Sequence, residues 1–281
     1  MEIKMAKDYG FCFGVKRAIQ IAEKNQNSLI FGSLIHNAKE INRLEKNFNV
    51  KIEEDPKKIP KNKSVIIRTH GIPKQDLEYL KNKGVKITDA TCPYVIKPQQ
   101  IVESMSKEGY QIVLFGDINH PEVKGVISYA TNQALVINSL EELQEKKLQR
   151  KVALVSQTTK QTPKLLQIAS YLVERCTEVR IFNTICNATS YNQKAALDLS
   201  KEVDIMIVVG GKTSSNTKQL LSIAKQHCED SYLVEDENEL ELAWFKDKKL
   251  CGITAGASTP DWIIENVKQK ISTITHFENF L

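Results

Sequence analysis

Short apolar runs rich in Val and Ile alternate with helical patterns along the whole chain, and this alternation predicts α/β architecture built on parallel sheets. The clearest strand candidates are Ser28–Phe31, Ser64–Ile67, Gln111–Phe115, Lys151–Val155, Asp204–Val209 and Leu250–Thr254. Each runs into a polar or Gly-containing loop, and a helix follows. Pro73 and Pro163 stand where a first helical turn begins, and Thr162 is placed to cap the second of these helices.

At longer range the same order occurs three times. A cysteine loop opens each third: Gly10-Phe11-Cys12-Phe13-Gly14, Ala90-Thr91-Cys92-Pro93 and Thr184-Ile185-Cys186-Asn187. The second and third loops follow similar strands, Val85–Asp89 and Val179–Asn183. A strand–loop–helix unit comes next, then a short strand with polar or acidic residues (Val50–Glu54, Leu135–Asn138, Leu233–Asp236), then a second strand–loop–helix unit. The cysteines stand 80 and 94 residues apart (92 − 12 and 186 − 92), a suitable size for small α/β modules. No Gly/Ser/Pro-rich linker divides the thirds. The expected modules are residues 1–92, 93–185 and 186–281, packed around a shared centre.

In parallel α/β sheets ligands bind beyond the carboxyl ends of the strands, where helix N-termini favour phosphate. The loops at those positions hold His36-Asn37, Thr69-His70-Gly71, His120-Pro121-Glu122, Gln157-Thr158-Thr159, Ser214-Ser215-Asn216 and Ser258-Thr259. Three of the five histidines are there, leaving His227 and His276 elsewhere. Imidazoles, hydroxyls and amides are the donors expected around a diphosphate. Taken singly, a strand-end His is commonly structural, and Ser214-Ser215-Asn216 is also a plain helix cap. Their shared position in all three thirds favours the functional reading. Gly210-Gly211-Lys212-Thr213 superficially resembles a phosphate loop but lacks the Gly-x-x-x-x-Gly-Lys-Ser/Thr spacing, which excludes nucleotide binding by that route.

Cysteine is commonly a small buried hydrophobe. That description suits Cys176, Cys228 and Cys251, and it suits poorly the three cysteines that repeat in phase within loops. Three converging thiolates bind zinc or an iron–sulfur cluster, and the spacing does not choose between them. A four-iron cluster on three cysteines leaves one iron free to act as a Lewis acid while the cluster supplies electrons.

No apolar run approaches the roughly 18–20 residues of a membrane span, and Met1–Met5 lacks a secretory pattern. A cytoplasmic location is expected, where six cysteines are reduced, catalytic or metal-binding rather than paired. The net charge of +5 suits an anionic substrate, but the basic residues are dispersed and never interleaved with aromatics. That excludes a nucleic-acid partner. No coiled-coil repeat is evident, and a monomer is expected.

The ordered motifs then resemble one family, the 4-hydroxy-3-methylbut-2-enyl diphosphate reductases of non-mevalonate isoprenoid biosynthesis. The resemblance runs through Gly10–Ala18, Ile35-His36-Asn37, His70-Gly71, Asp89–Pro93, His120–Gly125, Gln157–Thr159, Thr184–Thr189, Ser214–Thr217 and Thr254–Ser258. It implies a trefoil of three α/β modules around one 4Fe–4S cluster ligated by Cys12, Cys92 and Cys186. It implies substrate binding by His36, His70, His120, Thr158, Ser214, Ser215, Asn216 and Ser258, with Thr158 nearest the substrate hydroxyl. It also implies proton delivery by Glu122, and electrons arriving singly from a ferredoxin or flavodoxin.

The implied reaction removes the hydroxyl of an allylic alcohol diphosphate as water and gives isopentenyl and dimethylallyl diphosphates. The open iron site is expected to take the hydroxyl oxygen, and a buried Glu122 carboxyl is expected to have a raised pKa. Departures are small: Asn119 where relatives often carry Gly, Thr69 where Ala is common, and a short tail, Phe277-Glu278-Asn279-Phe280-Leu281. The alternative reading keeps the cluster and replaces the reaction with a redox-neutral dehydration or condensation resembling quinolinate synthase. A metal-pinned, non-enzymatic binding protein is a further rival, disfavoured by the acid, hydroxyl and imidazole groups gathered in the loops.

Overall fold

The computed structural model describes residues 1–278, with side chains through residue 274. His276 and the terminal residues of the Phe277–Leu281 tail fall outside the described side chains. Strands and helices alternate as β1 (Glu2–Met5), α1 (Phe13–Lys24), β2 (Leu29–Phe31), α2 (Ala38–Phe48), β3 (Lys51–Glu53), β4 (Ser64–Ile67), α3 (Lys74–Asn82), β5 (Lys86–Asp89) and α4 (Pro93–Lys107). They continue as β6 (Gln111–Phe115), α5 (Pro121–Ile127), β7 (Leu135–Ile137), α6 (Leu140–Gln144), β8 (Lys151–Ser156), α7 (Thr162–Arg175), β9 (Glu178–Ile181) and α8 (Asn187–Ser200). The last are β10 (Ile205–Val209), α9 (Ser215–Ala224), β11 (Ser231–Val234), β12 (Leu250–Ala255) and α10 (Asp261–Glu278). No helix of the described residues is long and apolar enough to cross a membrane.

The twelve strands form three four-stranded sheets, ordered β3-β2-β4-β5, β7-β6-β8-β9 and β11-β10-β12-β1, with every pairing parallel. One connectivity therefore occurs three times. Its fourth strand carries the cysteine loop each time, since Cys12, Cys92 and Cys186 follow β1, β5 and β9. The N-terminal strand β1 pairs with β12, so the segment before Cys12 completes the last sheet rather than the first. Sequence periodicity misses β1 because Glu2-Ile3-Lys4-Met5 is short, and its side chains alternate between exposed and half-buried.

By contact density the chain divides into two units: Met1–Phe13 with His36–Glu40 and the chain from Asn187 onward, and Gly14–Ile35 with Ile41–Cys186. In the first unit the core lies between the β10–β12 sheet and α10, where Ile205, Ile207, Val209, Ile253 and Ala255 meet Ile263, Ile264, Val267 and Ile271. In the second, β6 and β8 are buried on both faces: Val113, Phe115, Val152 and Leu154 pack with Leu165, Ile168 and Leu172 of α7, and Ile112, Leu114 and Val155 pack with Val102 and Met105 of α4. Burial on both faces explains why these parallel strands read as continuous apolar runs.

Helix starts follow proline and hydroxyl chemistry with two differences from expectation: Pro73 is the N-cap of α3, one position before its first turn, and Thr162 is not a cap. Pro93, Pro121 and Pro163 occupy first-turn positions where a missing N–H costs nothing. Thr162 is the first helical residue of α7, and the cap position belongs to Gln161. The Pro at the next position fixes the turn without needing the Thr hydroxyl as a cap.

Ile207 is fully buried at the middle of β10, whereas Ile181 at the end of β9 is largely exposed. Ile207→Ala should lower unfolding free energy in urea titrations by about 2–5 kcal/mol. Ile181→Ala should change it by about 0.5 kcal/mol or less. Equal effects at the two positions would contradict this core.

Candidate functional site

In all three sheets the central strand ends at a glycine whose N–H donates to the end of the edge strand: Gly32 to Glu53 O, Gly116 to Ile137 O and Gly210 to Val234 O, at 2.9, 2.8 and 2.8 Å. Four residues past each glycine stands a residue of the expected substrate set: His36, His120 and Ser214 (36 − 32, 120 − 116 and 214 − 210). The loop after the inner strand carries His70, Thr158 and Ser258. The amide of each cysteine is tied to that inner loop. Cys12 N–H donates to Ala257 O, Cys92 N–H to Thr69 O and Cys186 N–H to Thr158 O, at 3.2, 3.0 and 3.0 Å. Each bond holds a cysteine beside a substrate-loop residue, in the same way in every sheet.

The cysteines divide as expected. Cys12, Cys92 and Cys186 are half-buried, and each immediately precedes a helix, α1, α4 or α8. The partial positive charge of a helix N-terminus favours an anionic ligand such as thiolate. Cys228 and Cys251 are buried, and burial pushes the Cys251 thiol up to about 12. Cys176 closes α7, and its thiol is also raised by burial. The donor set of the first three fits a soft metal centre, Cys228 and Cys251 are buried, and Cys176 packs partly buried against the core.

In the first unit, α9 offers its N-terminus. Ser214 is the N-cap, its Oγ accepting from Thr217 N–H at 3.3 Å, so its own hydroxyl proton stays available to a ligand. Asn216 is buried, and neither atom of its carboxamide has a hydrogen-bond partner. A buried carboxamide left unsatisfied is costly unless a ligand completes it. His36 belongs to the same unit: Ser258 Oγ donates to its carbonyl at 3.3 Å. A Cβ on Gly211 would lie 2.4 Å from that carbonyl, so glycine is required for this approach. Asn37 caps the start of α2, its Oδ1 accepting from Glu40 N–H.

In the second unit, His70 and His120 meet edge to face with ring centroids 5.4 Å apart. Gly71, at φ 68°, makes the turn after His70, and a Cβ there would meet the Gln99 amide at 2.7 Å. Thr69, where relatives often carry Ala, donates from Oγ1 to Leu34 O at 2.7 Å and so adds an anchor to this loop. His120 is the N-cap of α5, and its Nδ1 accepts from Glu122 N–H at 3.2 Å. Neutral His120 therefore carries its proton on Nε2, which makes that nitrogen a donor. Asn119 lies in the turn just before, its N–H donating to Asp117 Oδ1 at 2.9 Å.

Glu122 is buried, 2% exposed. Its carboxyl accepts Thr158 N–H at 2.6 Å and Thr158 Oγ1–H at 2.7 Å. Burial pushes its pKa up to about 7, and the two Thr158 bonds oppose that rise without cancelling it. The expectation of a raised carboxyl pKa thus holds, with desolvation as the cause.

Sequence reading placed Thr217 and Gln157 inside its motifs but gave neither a role: Thr217 is buried with Oγ1 lacking a partner, and the Gln157 carboxamide bridges two loops. No residue-type signal marks either, because both sit inside motifs whose neighbours carry the recognisable chemistry.

Comparison with known proteins agrees with this geometry. The chain is 99% identical over 274 residues to the 4-hydroxy-3-methylbut-2-enyl diphosphate reductase of Helicobacter pylori (strain P12), covering 98% of this chain and 100% of the relative. A solved structure of (E)-4-hydroxy-3-methyl-but-2-enyl diphosphate reductase, described as the terminal enzyme of the non-mevalonate pathway, matches with TM-score 0.70 at 40% identity, covering 97% of this chain and 99% of that one. The E-1-hydroxy-2-methyl-but-2-enyl-4-diphosphate reductase from Plasmodium falciparum matches with TM-score 0.90 at 27% identity, covering 95% and 87%. The model of the LytB protein family matches residues 3–272, and the chain belongs to that family.

Proposed function

We propose that the chain reduces (E)-4-hydroxy-3-methylbut-2-enyl diphosphate to isopentenyl diphosphate and dimethylallyl diphosphate, with Cys12, Cys92 and Cys186 holding one 4Fe–4S cluster. Near-identity to curated reductases makes it an oxidoreductase of the non-mevalonate pathway, and three loop cysteines, each at a helix start, support an iron–sulfur centre. The observation that carries the residue-level reading is the buried Glu122–Thr158 pair, an acid held near neutrality beside a hydroxyl. Neither the relatives nor the site favours the redox-neutral alternative: a reductase needs electrons, which a zinc site does not provide. When bound, the cluster supplies those electrons one at a time and a Lewis-acidic iron.

The chain's own residues bind, orient and move protons. Asn216, Ser214 and Ser215 at the start of α9, with Ser258 and His36, are suited to the diphosphate through neutral donors and free helix N–H groups. His120 Nε2–H and His70 are further donors. A protonated Glu122 reverses its bond with Thr158, its O–H donating to Oγ1 while the Thr158 hydroxyl donates onward to the substrate hydroxyl. Loss of that hydroxyl as water takes the proton, and two electrons and a second proton complete the reduction. Electrons come from a ferredoxin or flavodoxin, and the enzyme works as a cytoplasmic monomer.

The direct test is an anaerobic assay of reconstituted protein with the alcohol diphosphate and a one-electron reductant. Formation of both diphosphate products supports the assignment, and a colourless protein without turnover ends it. Glu122→Gln should cut kcat by about 10²–10⁴ while leaving substrate affinity near normal. The same substitution tests the electrostatics. A carboxyl whose folded pKa is raised adds stability below its ordinary value of 4.5 and loses it as pH rises through about 7. Glu122→Gln protein should therefore melt higher than the parent above pH 7, by the equivalent of about 3 kcal/mol, and lose that advantage in acid. Replacing Cys12, Cys92 or Cys186 with Ser should abolish cluster absorbance and turnover together, whereas Cys251→Ser should leave the cluster in place.

A further inference from the structure

Gln157 sits one residue before Thr158 and is 2% exposed. Its backbone N–H donates to Phe115 O at the end of β6 at 2.8 Å. Its side-chain Oε1 accepts from Asp117 N–H at 3.0 Å, and its Nε2 donates to Thr159 Oγ1 at 3.1 Å. One carboxamide thus joins the loop that leads to His120 and Glu122 with the loop that carries Thr158 and Thr159. Gly116 permits the approach, since a Cβ there would lie 3.2 Å from Gln157 Cβ and 2.7 Å from side-chain atoms of Leu114 and Val123.

The other two sheets show that the fold does not demand glutamine at this place. Sheet register aligns Ile67 of β4 with Ser156 of β8 and Ala255 of β12, each paired with the last residue of a central strand (Phe31, Phe115 and Val209). The residue after each is Arg68, Gln157 or Gly256. Arg68 Nε donates to Gly71 O within its own turn at 3.0 Å. Gly256 has no side chain, and Thr217 Oγ1 fills the space, 2.2 Å from where a Cβ would stand. The Arg68 guanidinium packs over Gly32 without a side-chain hydrogen bond into that loop. Of the three, Gln157 is the one whose side chain hydrogen-bonds to both loops, and its sheet is the one carrying Glu122. We infer that Gln157 is a positioning residue for proton delivery, fixing the register between the two loops so that both Thr158 donors meet the Glu122 carboxyl. The inference rests on the Glu122 assignment made above.

A double-mutant cycle tests it on cluster-loaded protein, measuring kcat and KM anaerobically with a one-electron reductant. Gln157→Ala should lower kcat by about 10- to 100-fold, because a misplacement near 1 Å costs about that much. KM should change less than kcat, because the proposed donors at the start of α9, Ser214, Ser215 and Asn216, are untouched. In the Glu122→Gln background the same change should cost little more, since the pair it positions is already disabled. Gln157→Glu, which still accepts from Asp117 N–H and takes the Thr159 hydroxyl as its donor, should recover most of the lost kcat. If Gln157→Ala fails to load the cluster, Gln157→Met fills the volume without either hydrogen bond and is scored in the same way. Unchanged kcat, an equal loss in both backgrounds, or no recovery with Glu would overturn the inference. Near-normal kcat for Glu122→Gln alone would overturn the proton-donor assignment instead.

Discussion

The structure depends on a backbone constraint repeated three times: the amide of each cysteine donates to a carbonyl two residues beyond an inner strand, at Ala257, Thr69 or Thr158. A parallel sheet ends all its strands on one side, so the loops that follow them are neighbours by construction. The amide bond turns that adjacency into fixed register between a thiol loop and a substrate loop. Side chains at these loops can then differ between sheets without moving the cysteines. A structural requirement on the main chain leaves the chemistry free to vary.

Within that frame the electrostatic work is unequal. Glu122 is a carboxyl without a cationic partner, lifted by burial and held by two donors from one residue. Pairing it with Lys or Arg would depress its pKa and abolish the donor. The proposed diphosphate donors are likewise neutral groups: imidazole, hydroxyl, carboxamide and helix N–H. The dispersed net charge of +5 fits the same scheme, since no concentrated basic patch is needed.

Much of this was legible in the sequence because the decisive signals were local. Buried parallel strands such as Gln111–Phe115 and Ser64–Ile67 are continuous apolar runs, and they were placed to the residue. Loop residues fell at fixed offsets from them. What escaped was long-range or geometrically subtle. The pairing of β1 with β12 joins residues about 250 apart, and nothing in a four-residue half-exposed strand announces its partner. Thr162 had the chemistry of a cap but sits one position inside the helix. Gln157 stood inside a recognised motif, but its bridging role is visible only once both loops are in space.

A threefold scaffold must break its own symmetry to serve an asymmetric substrate. Six residues beyond the strand-end glycines Gly32, Gly116 and Gly210 stand Ala38, Glu122 and Asn216 (38 − 32, 122 − 116 and 216 − 210). These are an inert methyl, an acid and a carboxamide at one topological position. Three carboxylates there would repel a diphosphate, and three carboxamides would leave no proton to give. Of the three, Glu122 has a proton to give and Asn216 a neutral carboxamide to offer. The repeated strand order sets where the three side chains stand, and the Glu122 position is the one of the three with a titratable group.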